Sequence, residues 1–318
     1  MKVLMLSGDP SILEEGSAAH ARLLFQRSQV DRLDVFVWPQ RHSFREIVRA
    51  TRVTQPDVVT AQDPFWRGLA AWVIARRCGA RLNLQVHTDL TAQPFTRRVL
   101  ARFLLARADS IRVVSEKLRD TLVSWRLRAP IVVLPIFVDL APCANMSHTP
   151  HSRFTKTILW IGRFEEEKDP LMALEVLVQV RARGIDAGLI MLGAGSLEGK
   201  LRERAKQLAP FVEFPGWQAP APYLAQADVV VSTSRHESYG ASIVEALAAG
   251  VPVVSPDYGI AREAGAVIAS RTELTAATAH VLQTGMRGEL KMPILDAESW
   301  AKRWRESLEV VTSAIIAI

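Results

Sequence analysis

The sequence predicts an α/β protein of two tandem doubly wound Rossmann-like domains facing a central cleft. Three observations predict this. The 318 residues exceed one ordinary core and suit two. Short Val/Ile/Leu-rich runs alternate with amphipathic stretches, the pattern of parallel strands buried on both faces and joined by crossover helices. The alternation lapses once, over "DLAPCANMSHTPHSRFTK" (139–156), rich in Pro, Ser, Thr and His, and then restarts.

In the first half, strands are expected at 2–7, 34–39, 57–62, 81–87, 110–115 and 131–138. Helices are expected near 17–30, 43–53, 65–78, 95–107 and 116–125. After the lapse, strands are expected at 157–162, 187–193, 212–216, 228–234, 251–256 and 266–270. Helices near 170–183, 197–208, 241–249 and 272–284 separate them, and a helical segment near 297–315 closes the chain. The domains are therefore set at 1–140 and 157–296, with a linker at 141–156. Residues 297–318 form a C-terminal helix packing back toward the first domain, its apolar "VVTSAIIAI" read as docked. In open sheets of this type, ligands bind at the carboxyl ends of the strands.

Composition excludes several classes. Hydrophobic residues make up 49% of the chain, as in a packed globular protein. No run approaches the roughly 18 apolar residues of a membrane span. The opening "MKVLMLSGDP" has too short an apolar stretch for a signal peptide. Two cysteines, Cys78 and Cys143, form neither a metal motif nor a disulfide framework, and read as reduced thiols in a cytoplasmic protein. The sequon at Asn145 reads as accidental there. Charge is uneven. Residues 1–150 carry 21 Lys+Arg against 13 Asp+Glu, a net of +8, and the rest carry 18 against 20, a net of −2. A basic half suggests an anionic partner.

The chemistry concentrates in "RHESYGASIVEALAAGVPVV" (235–254). A turn at Tyr239 and Gly240 precedes a helix whose first amides, on Gly240, Ala241 and Ser242, offer an anion site. Glu237 lies before the turn. Glu245 lies about 7 Å along the helix at 1.5 Å per residue. Carboxylates repel phosphate but accept paired O–H bonds well. The two glutamates therefore suit hydroxyl-bearing rings at both ends of a diphosphate, which describes a nucleotide sugar. "IGRFEEEKDP" (161–170) adds Arg163 and Lys168 at a strand's carboxyl end, placed to cover the diphosphate and stabilise charge on it as the sugar leaves.

Here "GRFEEEKDP" (162–170) with "HESYGASIVEALAAGVPVVSPDYGIAREAG" (236–265) resembles the retaining glycosyltransferases of the family 4 group, which have the GT-B fold. The resemblance runs the whole chain, stronger in the second half. It implies that Glu237 holds the donor sugar's hydroxyls, Glu245 the ribose, and Arg163 and Lys168 the diphosphate. It also implies an acceptor-binding first domain and a nucleotide-sugar-binding second one. In the first half it matches "EEGSAAH", with Gly16 and Ser17 where the family often has two glycines, which implies that Gly16 and Ser17 join Arg163, Lys168, Glu237, Tyr239, Gly240, Ala241, Ser242 and Glu245 in binding the donor, and "QVHTD", with His87. An ordinary turn glycine and a satisfied core histidine fit those positions equally. Ser238 and Tyr239 stand where the family has Pro and Phe. "LIMLGAGSLEGKL" (189–201) superficially resembles a dinucleotide fingerprint, but its glycines are spaced GxGxxxG.

The chain is thus read as a retaining, metal-independent glycosyltransferase with no cofactor beyond its UDP-, GDP- or ADP-sugar co-substrate. Catalytic roles fall to Glu237, His87, Arg163 and Lys168. No Asp-x-Asp occurs, so cations and amides replace a metal. The acceptor is a hydroxyl compound, extending to a lipid-linked or cell-envelope glycan. A helix at 94–109 carrying Arg97, Arg98, Arg102 and Arg107 among apolar residues suits an anionic membrane surface on its inner face, and suits a core-packed helix with a solvated arginine face as well. Nucleic acid is not expected. Alternatives are a GT-B nucleotide-sugar epimerase and a non-catalytic nucleotide-sugar-binding protein.

Overall fold

The computed structural model describes residues 1–144, 146–237 and 239–309. The sequon at Asn145, the departure at Ser238 and the expected docking of 310–318 fall outside the described residues. The described residues form two compact units, one of residues 1–137 with 294–309, the other within 138–293.

The first unit holds β1 (Lys2–Ser7), α1 (Ala18–Arg27), β2 (Arg32–Val37), α2 (Phe44–Thr54), β3 (Val58–Ala61), α3 (Trp66–Cys78), β4 (Arg81–Val86), α4 (Phe95–Leu105), β5 (Ser110–Val113), α5 (Glu116–Val123) and β6 (Ile131–Val133). The strands form one sheet in the order β2-β1-β3-β4-β5-β6, with every pairing parallel. Because β2 and β3 lie on opposite sides of β1, the chain reverses its winding there. Loops leaving β1 and β3 diverge and leave a crevice at their carboxyl ends.

The second unit holds β7 (Lys156–Ile161), α6 (Pro170–Ala182), β8 (Ala187–Leu192), α7 (Glu198–Ala205), β9 (Val212–Gly216), α8 (Ala221–Leu224), β10 (Val229–Val231), α9 (Ala241–Ala248), β11 (Val253–Ser255), α10 (Ala261–Ala264), β12 (Val267–Ile268) and α11 (Leu274–Thr284). Its all-parallel sheet runs β12-β11-β10-β7-β8-β9. Its winding reverses between β7 and β10.

Each sheet is covered by helices with continuous apolar stripes. In the second unit, Leu174, Leu177 and Val180 of α6 pack with Leu189 and Met191 of β8 and with Trp160. The segment after residue 137 belongs to this unit, and Cys143 is buried in a 3-10 turn that contacts α8 and α9. The last described helix, α12 (Ala297–Leu308), packs on α1 in the first unit. It delivers Trp300 and Trp304 into a core with Val3, Met5, Leu23 and Leu134. Each such burial contributes about 2–3 kcal/mol. Trp300 Nε1 donates to the Pro135 carbonyl at 2.8 Å.

Several expected strands are shorter in the structure for identifiable reasons. The strand expected at 131–138 stops at Val133, because Pro135 has no N–H for the ladder and its carbonyl is taken by Arg112 and Trp300. The strand expected at 34–39 runs instead over Arg32–Val37, ending before Pro39. The short helices α8 and α10 have too few residues to show a period.

Candidate functional site

The reversal of winding in the second sheet places two loops side by side. One leaves β7 and carries Arg163 and Lys168. The other leaves β10 and carries Glu237. Lys168 and Glu237, 69 residues apart, meet there in an ion pair between Nζ and Oε2. Both side chains are largely buried, at 20% and 15% exposure. Ser234 Oγ also donates to Glu237 Oε2, at 3.3 Å. The expected partner of Glu237 was a ligand hydroxyl. In the structure its partner is Lys168.

Arg163 is not part of this pair. It bonds Glu167 four residues on, and its side chain is 63% exposed. Ion pairs of that kind are worth little, so the arginine is free to reorient.

The pair sits on a built frame. Thr233 Oγ1 lies 2.9 Å from the Lys168 carbonyl and 2.8 Å from that of Asp169, and accepts from Trp160 Nε1 at 2.8 Å. Asp169 takes a left-handed backbone, φ 44°, uncommon for a residue with a Cβ. Its carboxylate is held by Arg271 and, at 3.1 Å, by Arg235. Arg271 also donates to the Thr233 carbonyl. Trp160, Asp169, Thr233, Arg235 and Arg271 thus tie the two strand-end loops together. No local pattern marks them, because each acts through residues distant in sequence. The glycine-rich turn after β8 has a packing role as well. A Cβ on Gly193 would lie 1.9 Å from the Gly162 carbonyl oxygen, and one on Gly195 would lie 2.7 Å from Phe164 backbone atoms. Only glycine lets this turn seat against the loop bearing Arg163.

Gly240 begins α9 with φ 98° and supplies no capping side chain. The Gly240 carbonyl accepts from Ile243 at 3.0 Å. Ala241 is exposed and Ser242 half-buried, and their amides stand in the first turn, where a helix has no acceptor of its own. Such a start, with its dipole and free donors, has the chemistry that suits an anion. Tyr239 is buried at 4% exposure. Glu245 follows one turn later, half-buried. Among the described residues nothing donates to its carboxylate, and burial pushes its pKa up from 4.5 to about 7. Its charge reaches the buried Cys143 thiol, which desolvation, then Glu245 and Asp139, push up to about 11.

In the first unit, the expected residues lie at the carboxyl edge of the other sheet. Gly16 has φ 83° with open space at its Cβ position. Ser17 is committed locally: its hydroxyl caps α1, accepting from His20 N at 2.9 Å, and donates to the Ser11 carbonyl at 2.6 Å. The hydroxyl thus starts α1. His87 ends β4, its Nε2 3.3 Å from Gln85 Oε1. Gln85 accepts from Arg112 at 2.9 Å and donates to Thr60 at 3.0 Å. Desolvation, reinforced by the Arg112 and Arg22 charges, lowers the His87 pKa from 6.5 to about 3. His87 is neutral at physiological pH, so it offers a hydrogen bond but no charge.

Helix α4 combines the two faces expected of 94–109. Ala101, Leu104 and Leu105 are buried. Phe95, Val99 and Phe103 are 76%, 52% and 40% exposed, and Trp66 at the start of α3 is 63% exposed. Arg97 and Arg102 stack on Phe65 and Trp125, and Arg107 on Phe103. Among the described residues, no helix is long and apolar enough to cross a membrane.

Comparison with known proteins gives a consistent picture. Residues 3–142 match a family described as "Glycosyltransferase Family 4", and residues 155–284 one described as "Glycosyl transferases group 1". An alpha-monoglucosyldiacylglycerol synthase of Streptococcus pneumoniae is 26% identical over 246 residues, 68% of this chain and 56% of that one. A GDP-mannose-dependent alpha-(1-6)-phosphatidylinositol dimannoside mannosyltransferase of Mycobacterium tuberculosis is 29% identical over 168 residues, 48% of this chain and 43% of that one. The chain thus spans about half the length of the curated relatives it matches. A lipopolysaccharide outer core galactosyltransferase structure aligns over 96% of this chain and 99% of its own with a TM-score of 0.69 at 16% identity. A sucrose-phosphate synthase from Thermosynechococcus elongatus aligns over 97% and 94% with a TM-score of 0.66 at 18% identity. With a parallel six-stranded sheet in each of two units and glycosyltransferase families matching both, the chain belongs to the family 4-like glycosyltransferases of GT-B fold.

Proposed function

We propose that this chain transfers a sugar from a nucleoside diphosphate sugar to a hydroxyl acceptor, with retention of configuration and without a metal ion. One observation carries the reading. At the reversal point of the second sheet, a largely buried ion pair joins Lys168 of the loop after β7 to Glu237 of the loop that leads into the uncapped start of α9, and Glu245, with no donor to its carboxylate among the described residues, lies one turn along. The α9 amides and Lys168 hold the diphosphate, joined by Arg163 when it leaves Glu167. Glu237 accepts from sugar hydroxyls, and Glu245 accepts from the ribose.

The sequence of events follows from those charges. As the bond from sugar to phosphate lengthens, negative charge grows on the departing oxygen, and the lysine and the helix dipole stabilise it in place. The sugar develops oxocarbenium character. The acceptor hydroxyl attacks from the same face, and the departing phosphate oxygen takes its proton. Neutral His87 orients polar groups of the sugar by a hydrogen bond.

Thermal-shift titration with UDP, GDP and ADP tests the donor reading. One of the three should raise the melting temperature, and the matching nucleotide sugar should release free nucleoside diphosphate slowly without acceptor. No stabilisation by any of them and no release would overturn it.

The two lipid-modifying relatives and the +8 charge of residues 1–150 favour an acceptor at an anionic membrane surface. The exposed Trp66, Phe95 and Val99 with Arg97, Arg98 and Arg102 supply apolar insertion and phosphate attraction together. Replacing the three arginines by Gln should weaken co-sedimentation with phosphatidylglycerol vesicles by about 1 kcal/mol per charge. It should also flatten the salt dependence, while nucleotide binding stays intact. Unchanged sedimentation would reject the surface.

A further inference from the structure

The frame beneath the Lys168–Glu237 pair contains an aspartate that its own helix does not use. Asp169 stands just before α6, where an aspartate ordinarily caps the helix with its carboxylate. Here the side chain makes no capping bond. The backbone takes the left-handed conformation, φ 44°, which disfavours a residue with a Cβ. The carboxylate is largely buried, at 13% exposure, and turns to Arg271 and Arg235. An aspartate kept in an unfavourable backbone and denied its local use is held there by residues far along the chain.

Arg271 comes from a third loop, between β12 and α11. Its one guanidinium spans both site loops. Nη2 donates to the Asp169 carboxylate, in the loop after β7, and Nη1 donates to the Thr233 carbonyl, in the loop after β10. Asp169 follows Lys168 directly, and Thr233 precedes the glutamate of the pair on its own loop. The Thr233 hydroxyl, 2.9 Å from the Lys168 carbonyl, ties the lysine's main chain to the same point. The arginine also has a firm base, since α11, which starts shortly after it, packs on α6, which starts at Pro170. A planar fork holds two acceptors at a fixed angle, and an ammonium does not.

We infer that Arg271 is a positioning residue for sugar transfer: through the Asp169 carboxylate and the Thr233 carbonyl it holds Lys168 where charge grows on the departing diphosphate. It acts through the lysine. This rests on the donor-site reading above.

Three measurements on Arg271→Ala, Arg271→Lys, Asp169→Asn and Lys168→Ala test it. They are single-turnover release of nucleoside diphosphate from UDP-glucose or GDP-mannose, calorimetric affinity for the same compound, and the rate of reductive methylation of Lys168 read by mass spectrometry. Arg271→Ala should slow release about ten- to hundredfold, the scale of a misplacement of about 1 Å. Affinity should change far less, because the lysine meets much of its charge only as the bond breaks. Arg271→Lys should recover part of the rate and serves as the folding control. Asp169→Asn, which keeps the shape and tolerates the left-handed backbone, should slow release in the same way. Lys168 should be methylated faster in Arg271→Ala and Asp169→Asn than in the wild type, since its place against Glu237 is loosened. Adding Arg271→Ala to Lys168→Ala should slow release no further. Wild-type release and wild-type methylation in Arg271→Ala and Asp169→Asn would overturn the proposal. So would losses that multiply in the double variant, which would give Arg271 a route that bypasses the lysine. Normal release in Lys168→Ala, or none from the wild type, would sink the donor reading by itself, and methylation would still decide whether Arg271 sets the lysine's place.

Discussion

Lys168→Ala lowers the acceptor-independent release of nucleoside diphosphate by about two to three orders of magnitude, the scale of removing one preorganised donor from a developing oxyanion. The loss falls mainly on kcat, because the charge that Lys168 meets grows during bond cleavage. Glu237→Ala costs a comparable factor and also lowers stability, since it leaves Lys168 largely buried without its carboxylate. Glu237→Gln keeps the shape and the bond from Ser234 but removes the charge, so the fold survives and the rate does not. The double variant Lys168→Ala/Glu237→Ala is more stable than the sum of its parts, because neither charge is then stranded. Thermal denaturation and single-turnover release of UDP or GDP read both quantities. Normal turnover in Lys168→Ala and Glu237→Gln would sink the proposed site.

That pair shows where a sequence is readable and where it is not. Glu237, Gly240 and Glu245 are legible because they share one short stretch whose helix start has its own signature. The strands are legible because parallel sheets bury both faces, leaving unbroken runs such as "KVLMLS" and "AGLIMLG". The meeting of Lys168 with Glu237 is not legible. It depends on β10 returning to lie beside β7 after two intervening strands, a choice of topology and not of composition. The clamp of Asp169 by Arg271 spans 102 residues and escapes for the same reason. Ser17 carries a second, local role. Besides its place in the loop read as donor-binding, its hydroxyl caps α1, a use that any Ser before a helix can have.

Glu245 governs the second large effect, a dependence on pH near neutrality. Burial raises its pKa from 4.5 to about 7, and Cys143 lies within reach of its charge. Between those two values the folded chain holds a proton that the unfolded chain has released. Stability on this account is therefore fully present below about 4.5 and is lost as pH rises through about 7. Glu245→Gln should remove that slope and be more stable than the wild type at alkaline pH, by on the order of 2 kcal/mol after allowance for the group's partial exposure. Binding should move the opposite way. A carboxylate accepts two ribose hydroxyls better than a carboxylic acid does, so a bound ribose favours the ionised form and expels the proton. UDP-glucose or GDP-mannose, whichever binds, is the suitable probe, since a diphosphate esterified at both ends has no proton of its own to lose in this range. Its affinity should rise as pH passes from 6 toward 8, with proton release measurable by calorimetry in buffers of different ionisation heat. His87 does not interfere, because it titrates near 3. In Glu245→Gln the affinity should be lower and flat with pH. An affinity that stays pH-dependent in that variant would place the titrating group elsewhere and remove Glu245 from the ribose.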